Sequence, residues 1–173
     1  MNQSARTKKA LFLDRDGIFT HLVNHPEGLG APRNWKQVRF FDEMQNLSRI
    51  KSHGYLLILA TNQPDIERGW IEQSFADELN DYLSKHYGLD GIYMCTFSDE
   101  DHPMKKPNPG MFFKAAEDFL ISLSASFHLG DTWKDVSAAQ KAGVKPVLWS
   151  REYNQDVSCP MKICNLKELE AIL

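Results

Sequence analysis

Short apolar runs, each ending in polar residues and followed by a helical pattern, recur along this chain. The runs are Ala10 to Leu13, Tyr55 to Ala60, a weaker one at Gly91 to Cys95, Ser126 to Leu129 and Val144 to Trp149. Lys162 to Cys164 reads as a sixth strand at an edge. None alternates polar with apolar positions, as expected of strands covered on both faces in a parallel sheet. Between them the spacing predicts a helix over Phe41 to His53, with apolar residues every third position at Phe41, Met44, Leu47 and Ile50 and a stop at Gly54. Further helices are predicted over Trp70 to Tyr87, Pro109 to Leu120, Trp133 to Ala142 (stopped by Gly143) and Leu166 to Ile172. Strands alternating with such helices predict an α/β fold of three layers, α/β/α, around a mostly parallel sheet. Residues 20–38, with Pro26, Gly28, Gly30 and Pro32, read as a loop. The whole chain, 1–173, is expected to be a single domain with no separate cap domain.

Composition narrows the function. A net charge of −3 offers no general attraction for nucleic acid or an anionic membrane, and neither is expected as a partner. Three cysteines, Cys95, Cys159 and Cys164, without framework spacing suit a reduced, cytoplasmic protein. The basic start, Met1 to Lys9, is followed by only Ala10 to Leu13 before Asp14, too short for a signal-peptide core or a membrane span. The chain is expected to act as a monomer.

The candidate chemistry sits at the predicted strand ends, where α/β sheets bind ligands. Asp14 and Asp16, two apart in an extended segment, point the same way. One carboxylate can attack phosphorus and the other can move the proton, but the pair also fits a solvated turn before Gly17. Asp131 follows the fourth strand, and Asp135 lies one turn into the next helix. Packed near Asp14 they would need a cation, and magnesium prefers such oxygen ligands. They equally fit a plain helix N-terminus. Thr61-Asn62-Gln63 can hold phosphate oxygens or simply make a turn. Lys106, before Pro107, can offset phosphoryl charge or lie in a solvated basic turn.

In order, Leu11-Phe12-Leu13-Asp14-Arg15-Asp16-Gly17, Ala60-Thr61-Asn62-Gln63, Lys106-Pro107 and Leu129-Gly130-Asp131 with Asp135 resemble the four-motif signature of the haloacid dehalogenase (HAD) superfamily. The resemblance spans residues 10 to 150. With Arg68-Gly69, Leu89 to Tyr93 and Lys106 to Met111, it is similar to the branch of heptose 1,7-bisphosphate and histidinol-phosphate phosphatases. The resemblance implies hydrolysis of a small phosphorylated metabolite, foremost a sugar phosphate, through an aspartyl-phosphate. Asp14 would be nucleophile and magnesium ligand, and Asp16 general acid/base with its carbonyl on the metal. Thr61 and Asn62 would hold the phosphate and Lys106 would offset its charge. Asp131 would complete the Mg2+ site, with Asp135 ligating through water or bracing it. Arg68 and Lys105 would approach the rest of the substrate.

Two departures stand out. Where that branch commonly carries a four-ligand zinc loop, this chain keeps only Cys95 and His102, too few for a structural site, so no zinc is expected. Pro64-Asp65 replaces the branch's usual Ser-Gly, and Lys105 stands where arginine is frequent, leaving the substrate open. A polynucleotide 3′-phosphatase would need a basic, aromatic-lined track that the charge and spacing do not supply. A phosphoacceptor signalling domain would lack a proton donor two residues after its aspartate. Asp16 separates the two: in Asp16→Asn an enzyme loses turnover while Asp14 can still be phosphorylated.

Overall fold

The computed structural model describes residues 7–173, so most of the basic start lies outside the described residues. The chain runs β1 (Lys9–Leu13), β2 (Val23–His25), β3 (Gly28–Gly30), α1 (Ser48–Ser52), β4 (Tyr55–Asn62), α2 (Gln73–Tyr87), β5 (Gly91–Cys95), α3 (Gly110–Phe119), β6 (Phe127–Gly130), α4 (Trp133–Ala142), β7 (Lys145–Trp149), β8 (Lys162–Ile163) and α5 (Leu166–Ile172). Six strands form one sheet in the order β5-β4-β1-β6-β7-β8, every pair parallel.

Alternate residues of the apolar strands serve two different cores, which is why the runs show no polar side. Leu11, Leu13, Leu57 and Leu59 pack on one face with Ile50 of α1, Leu79 and Leu83 of α2, and Leu169 of α5. Ala10, Phe12, Ile58 and Ala60 pack on the other with Met111, Phe112 and Ala115 of α3 and Ala138 and Ala139 of α4. The result is the three-layer arrangement that the alternation of strands and helices predicts. Helix α4 ends at Gly143, whose φ of 74° is left-handed backbone that glycine adopts without steric penalty.

Three predicted segments take a different form. The helix expected over Phe41 to His53 is a turn of 3-10 helix, Asp42–Asn46, followed by the short α1. The three-residue apolar recurrence explains this: at three residues per turn it keeps Met44, Leu47 and Ile50, all fully buried, in line. The helix expected from Trp70 begins only at Gln73, because the N–H groups of Trp70 and Ile71 donate to Asp65 O in a turn. The 20–38 loop contains the antiparallel hairpin β2–β3, turned by Pro26 and Glu27.

Sheet register sets the functional edge. Leu13 pairs with both Leu59 and Leu129, so Asp14 emerges level with Ala60 and Gly130, and its N–H donates to Leu129 O at 3.0 Å. Asp131 and Thr61 lie one residue further along the flanking strands.

Candidate active site

At the carboxyl ends of β1, β4 and β6 lies a cleft of about 410 Å3, lined by Asp14, Asp16, Asn62, Lys106, Asp131 and Asp135 among others. The hairpin supplies part of a wall through His25, Leu29 and Gly30. Asp14, Asp131 and Asp135 converge, each offering a carboxylate oxygen within 4.8 Å of the others. The Lys106 ammonium stands 3.0 Å from Asp14 Oδ1 and 2.6 Å from Asp135 Oδ1.

Each acid has a distinct surrounding. Asp135 is satisfied on both oxygens: Oδ1 lies 3.1 Å from His128 Nε2 as well as facing Lys106, and Oδ2 accepts from the Thr132 N–H and hydroxyl. Asp131 is asymmetric, with Oδ2 accepting from the Tyr153 hydroxyl at 2.5 Å while Oδ1 is buried with no hydrogen-bond partner among the described residues. Asp16 accepts from Thr20 Oγ1 at 2.7 Å, from Gln63 Nε2 at 2.6 Å and from the buried Arg15 guanidinium, which Asn80 of α2 holds from behind.

The electrostatics follow from burial and like charge. Burial raises the Asp14 carboxyl above its usual range, and the charges of Asp135 and Asp16 add to this while Lys106 counters it. Asp131 is pushed well above that range by burial, then by Asp135 and Asp14. Burial acts likewise on Asp135, but Lys106 and His128 outweigh it and hold its carboxyl far below. For Lys106 burial opposes the charge, yet Asp135 and Asp14 prevail and keep the ammonium protonated. A divalent cation fits this donor set. It would relieve the repulsion between Asp14 and Asp131, and the bare Oδ1 of Asp131 is an oxygen of the type magnesium binds.

The remaining residues singled out from the sequence have varied settings. Asn62 spends its side-chain amide on the Lys106 backbone, accepting from its N–H at 3.0 Å and donating to its carbonyl at 2.8 Å. Thr61 is buried, accepts from Gln63 Nε2 at 3.1 Å, and is not among the residues lining the cleft. Lys105 spends its ammonium on Ser98 O at 2.6 Å and Glu100 Oε1 at 2.9 Å, while still lining the cleft. Arg68 lies on the cleft wall paired with Asp65 at 3.0 Å, and that same carboxylate also holds Arg33 at 3.3 Å.

The loop after β5 is held by packing. His102 stacks on Phe97 with ring centres 4.0 Å apart and its Nδ1 accepts from the Met104 N–H, while Asn108 Nδ2 donates to the carbonyls of Glu100 and His102. Cys95 Sγ lies 3.9 Å from His102 Nδ1, so the two expected residues do meet, and among the described residues no group of three or more metal-ligand side chains includes either.

Sequence reasoning passed over His128, Tyr153, Asn154, Arg15 and Thr20. His128 carried a signal, since a histidine within an apolar, doubly covered strand needs a buried partner. Nothing local marks Tyr153.

Comparison with known proteins agrees with the motif order. The sequence pattern of the haloacid dehalogenase-like hydrolases matches residues 9–143. The chain is 36% identical over 147 residues to the D-glycero-beta-D-manno-heptose-1,7-bisphosphate 7-phosphatase of Helicobacter pylori, covering 80% of this chain and 82% of that one. It is 30% identical to the D-glycero-alpha-D-manno-heptose-1,7-bisphosphate 7-phosphatase of Campylobacter jejuni over 93% of both. The crystal structure of a D,D-heptose 1,7-bisphosphate phosphatase from B. bronchiseptica, with magnesium and phosphate, superposes with a TM-score of 0.80 at 23% identity, covering 95% of this chain and 97% of that one. With the pattern spanning most of its length and relatives of this identity along it, the chain belongs to the haloacid dehalogenase-like hydrolase family.

Proposed function

We propose that this protein is a magnesium-dependent phosphomonoesterase of sugar phosphates, with heptose 1,7-bisphosphate as the leading substrate and histidinol phosphate as the alternative. The observation that carries the reading is the meeting of Asp14, Asp131 and Lys106 at one cleft, where a nucleophile, a cation ligand and a fixed positive charge lie within reach of one phosphoryl group. The names of the relatives support the sugar-phosphate class.

In this mechanism an Asp14 carboxylate oxygen attacks phosphorus as the bond to the ester oxygen breaks, giving an aspartyl-phosphate. Asp16 delivers a proton to the departing alkoxide, then takes one from the water that attacks phosphorus and frees Asp14. Because Asp16 is held by Thr20, Gln63 and Arg15, it exchanges one of these bonds for the substrate oxygen at each transfer. Asp14, Asp131 Oδ1 and the Asp16 carbonyl would hold a magnesium ion, which would offset phosphoryl charge, while Asp135 braces Lys106. Asn62 serves the transferring phosphate by holding the Lys106 backbone, and Thr61, buried behind the cleft, reaches it only if its hydroxyl gives up Gln63. Arg68 and Lys105 on the cleft wall meet the rest of the substrate.

The experiment is a release assay for inorganic phosphate across phosphorylated metabolites, including both anomers of heptose 1,7-bisphosphate and histidinol phosphate, with and without EDTA. Turnover of a sugar phosphate that EDTA abolishes and Asp14→Asn lacks is expected. Asp16→Asn should lower it by about 10²–10⁴-fold. Activity confined to 3′-phosphorylated DNA ends would overturn the sugar-phosphate reading. An unlosable phosphate on wild-type Asp14 would point instead to a phosphoacceptor.

A further inference from the structure

Beyond β7, a four-residue clasp reaches back into the site. Asn154 Nδ2 donates to Asp131 O at 2.7 Å and to Trp149 O at 2.9 Å, and its own Oδ1 accepts from the Arg151 N–H at 2.8 Å. The Arg151 guanidinium lies over Phe41, 3.9 Å from the ring centre, and donates to Gly17 O at 3.1 Å. Tyr153 completes the clasp through its hydroxyl on Asp131 Oδ2. Residues 151–154 lie beyond the span that matches the family pattern, yet they tie together the turns after β1 and β6. Gly17 makes the approach possible: with φ of 87° it adopts left-handed backbone, and a Cβ there would run into Asp131 Oδ2 and come within 2.9 Å of the Tyr153 oxygen.

We propose that Tyr153 is a positioning residue for the cation: by holding Asp131 Oδ2 it presents Oδ1 to the metal as a single, oriented ligand. The inference rests on the cation reading of the site given above. A carboxylate can turn about its terminal bond, and intermediate rotations would point its lone pairs away from the cation. Here the Tyr153 hydroxyl on one oxygen sets the plane of the carboxylate, and the other oxygen is buried and has no hydrogen-bond partner among the described residues. Asn154 fixes the backbone of the same residue, so both the position and the rotation of Asp131 are set from the C-terminal segment. Hydrogen bonds of this kind, made to a ligand rather than to the metal, commonly alter metal affinity by about 10–100-fold.

The test is Tyr153→Phe in the full chain, which removes one oxygen from a side chain whose ring is partly exposed and leaves Asn154 in place. Mn2+ binding by electron paramagnetic resonance should weaken by about 10-fold, and the Mg2+ concentration for half-maximal hydrolysis should rise in parallel. Hydrolysis at saturating Mg2+ should recover most of its rate. Unchanged Mn2+ affinity beside a lowered thermal midpoint would overturn the proposal and make Tyr153 a structural residue only. Asp131→Asn is the control: if it binds Mn2+ as well as wild type does, or if wild type binds none, the cation reading itself fails. A failure of Tyr153→Phe alone leaves that reading standing.

Discussion

The Lys106 ammonium faces Asp135 Oδ1 at 2.6 Å in surroundings where each side chain keeps only 2% of its surface exposed. Two charges so enclosed make a poor source of net stability, but breaking the pair is costly because the survivor stays buried and ionised. Lys106→Met should therefore destabilise the metal-free protein by about 2–4 kcal/mol, softened by His128 and Thr132, which still donate to Asp135. Urea denaturation reads this directly. Hydrolysis should fall by about 10²-fold or more from lost charge stabilisation. A variant of wild-type stability would show that the pair is not buried in solution.

Asn62 gives a second prediction. Its amide grips the Lys106 backbone at both N–H and carbonyl, across 44 residues of chain. Asn62→Ala should cost about 1–3 kcal/mol for two lost hydrogen bonds in a part-buried place. It should also lower kcat, because Lys106 is then less firmly placed against Asp14. If kcat holds while only stability falls, the lysine is positioned by its other contacts.

Asp131 predicts a pH dependence. Its carboxyl is raised from 3.8 by burial and by neighbouring acids, so between about pH 4 and its folded value the native state holds a proton that the unfolded chain has lost. Stability of the EDTA-treated protein should fall as pH rises through that window, at up to about 1.4 kcal/mol per pH unit from this group. Asp135 is shifted the opposite way, and its contribution is lost only below pH 3.8 as its carboxylate is protonated. Asp131→Asn should make the decline above pH 4 shallower, leaving the share due to the raised Asp14 carboxyl, and Mg2+ should reverse the decline in the wild type. Equal slopes for the variant and wild type in EDTA would refute the assignment.

The loop after β5 predicts a metal analysis. With His102 stacked on Phe97 and its Nδ1 accepting from Met104, the protein as purified should carry no stoichiometric zinc by elemental analysis. A zinc-selective chelator should leave the thermal midpoint of the protein unchanged. Cys95→Ala should keep hydrolysis near wild type, since the thiol lies in the core on the helix α3 side of the sheet. Equimolar zinc would contradict this.

Much of the architecture is legible in one dimension because strand and helix periods are local properties. Apolar runs such as Tyr55 to Ala60, helical spacing from Phe75 to Leu83, and Gly143 after α4 suffice to predict the alternating elements and the layered sheet. The candidate acids and Lys106 are conspicuous for a related reason: polar residues directly after doubly buried strands have one edge of the sheet to occupy. Even the misjudged segment at 41–53 carried its own correction, in an apolar period of three rather than 3.6.

What the chain order could not express is which side chains spend their hydrogen bonds on one another. Lys105 and Lys106 are neighbours in sequence, yet one reaches Glu100 and the other Asp14, because each points into a different part of the loop's packing. Asn62 meets Lys106, and Tyr153 meets Asp131, only after parallel strands from distant stretches lie side by side. Local patterns determined the elements and the acidic edge. The sheet order and the packing of its loops decided which acid is braced, which is left with a bare oxygen, and which residues hold them, since those contacts exist only between segments that folding brings together.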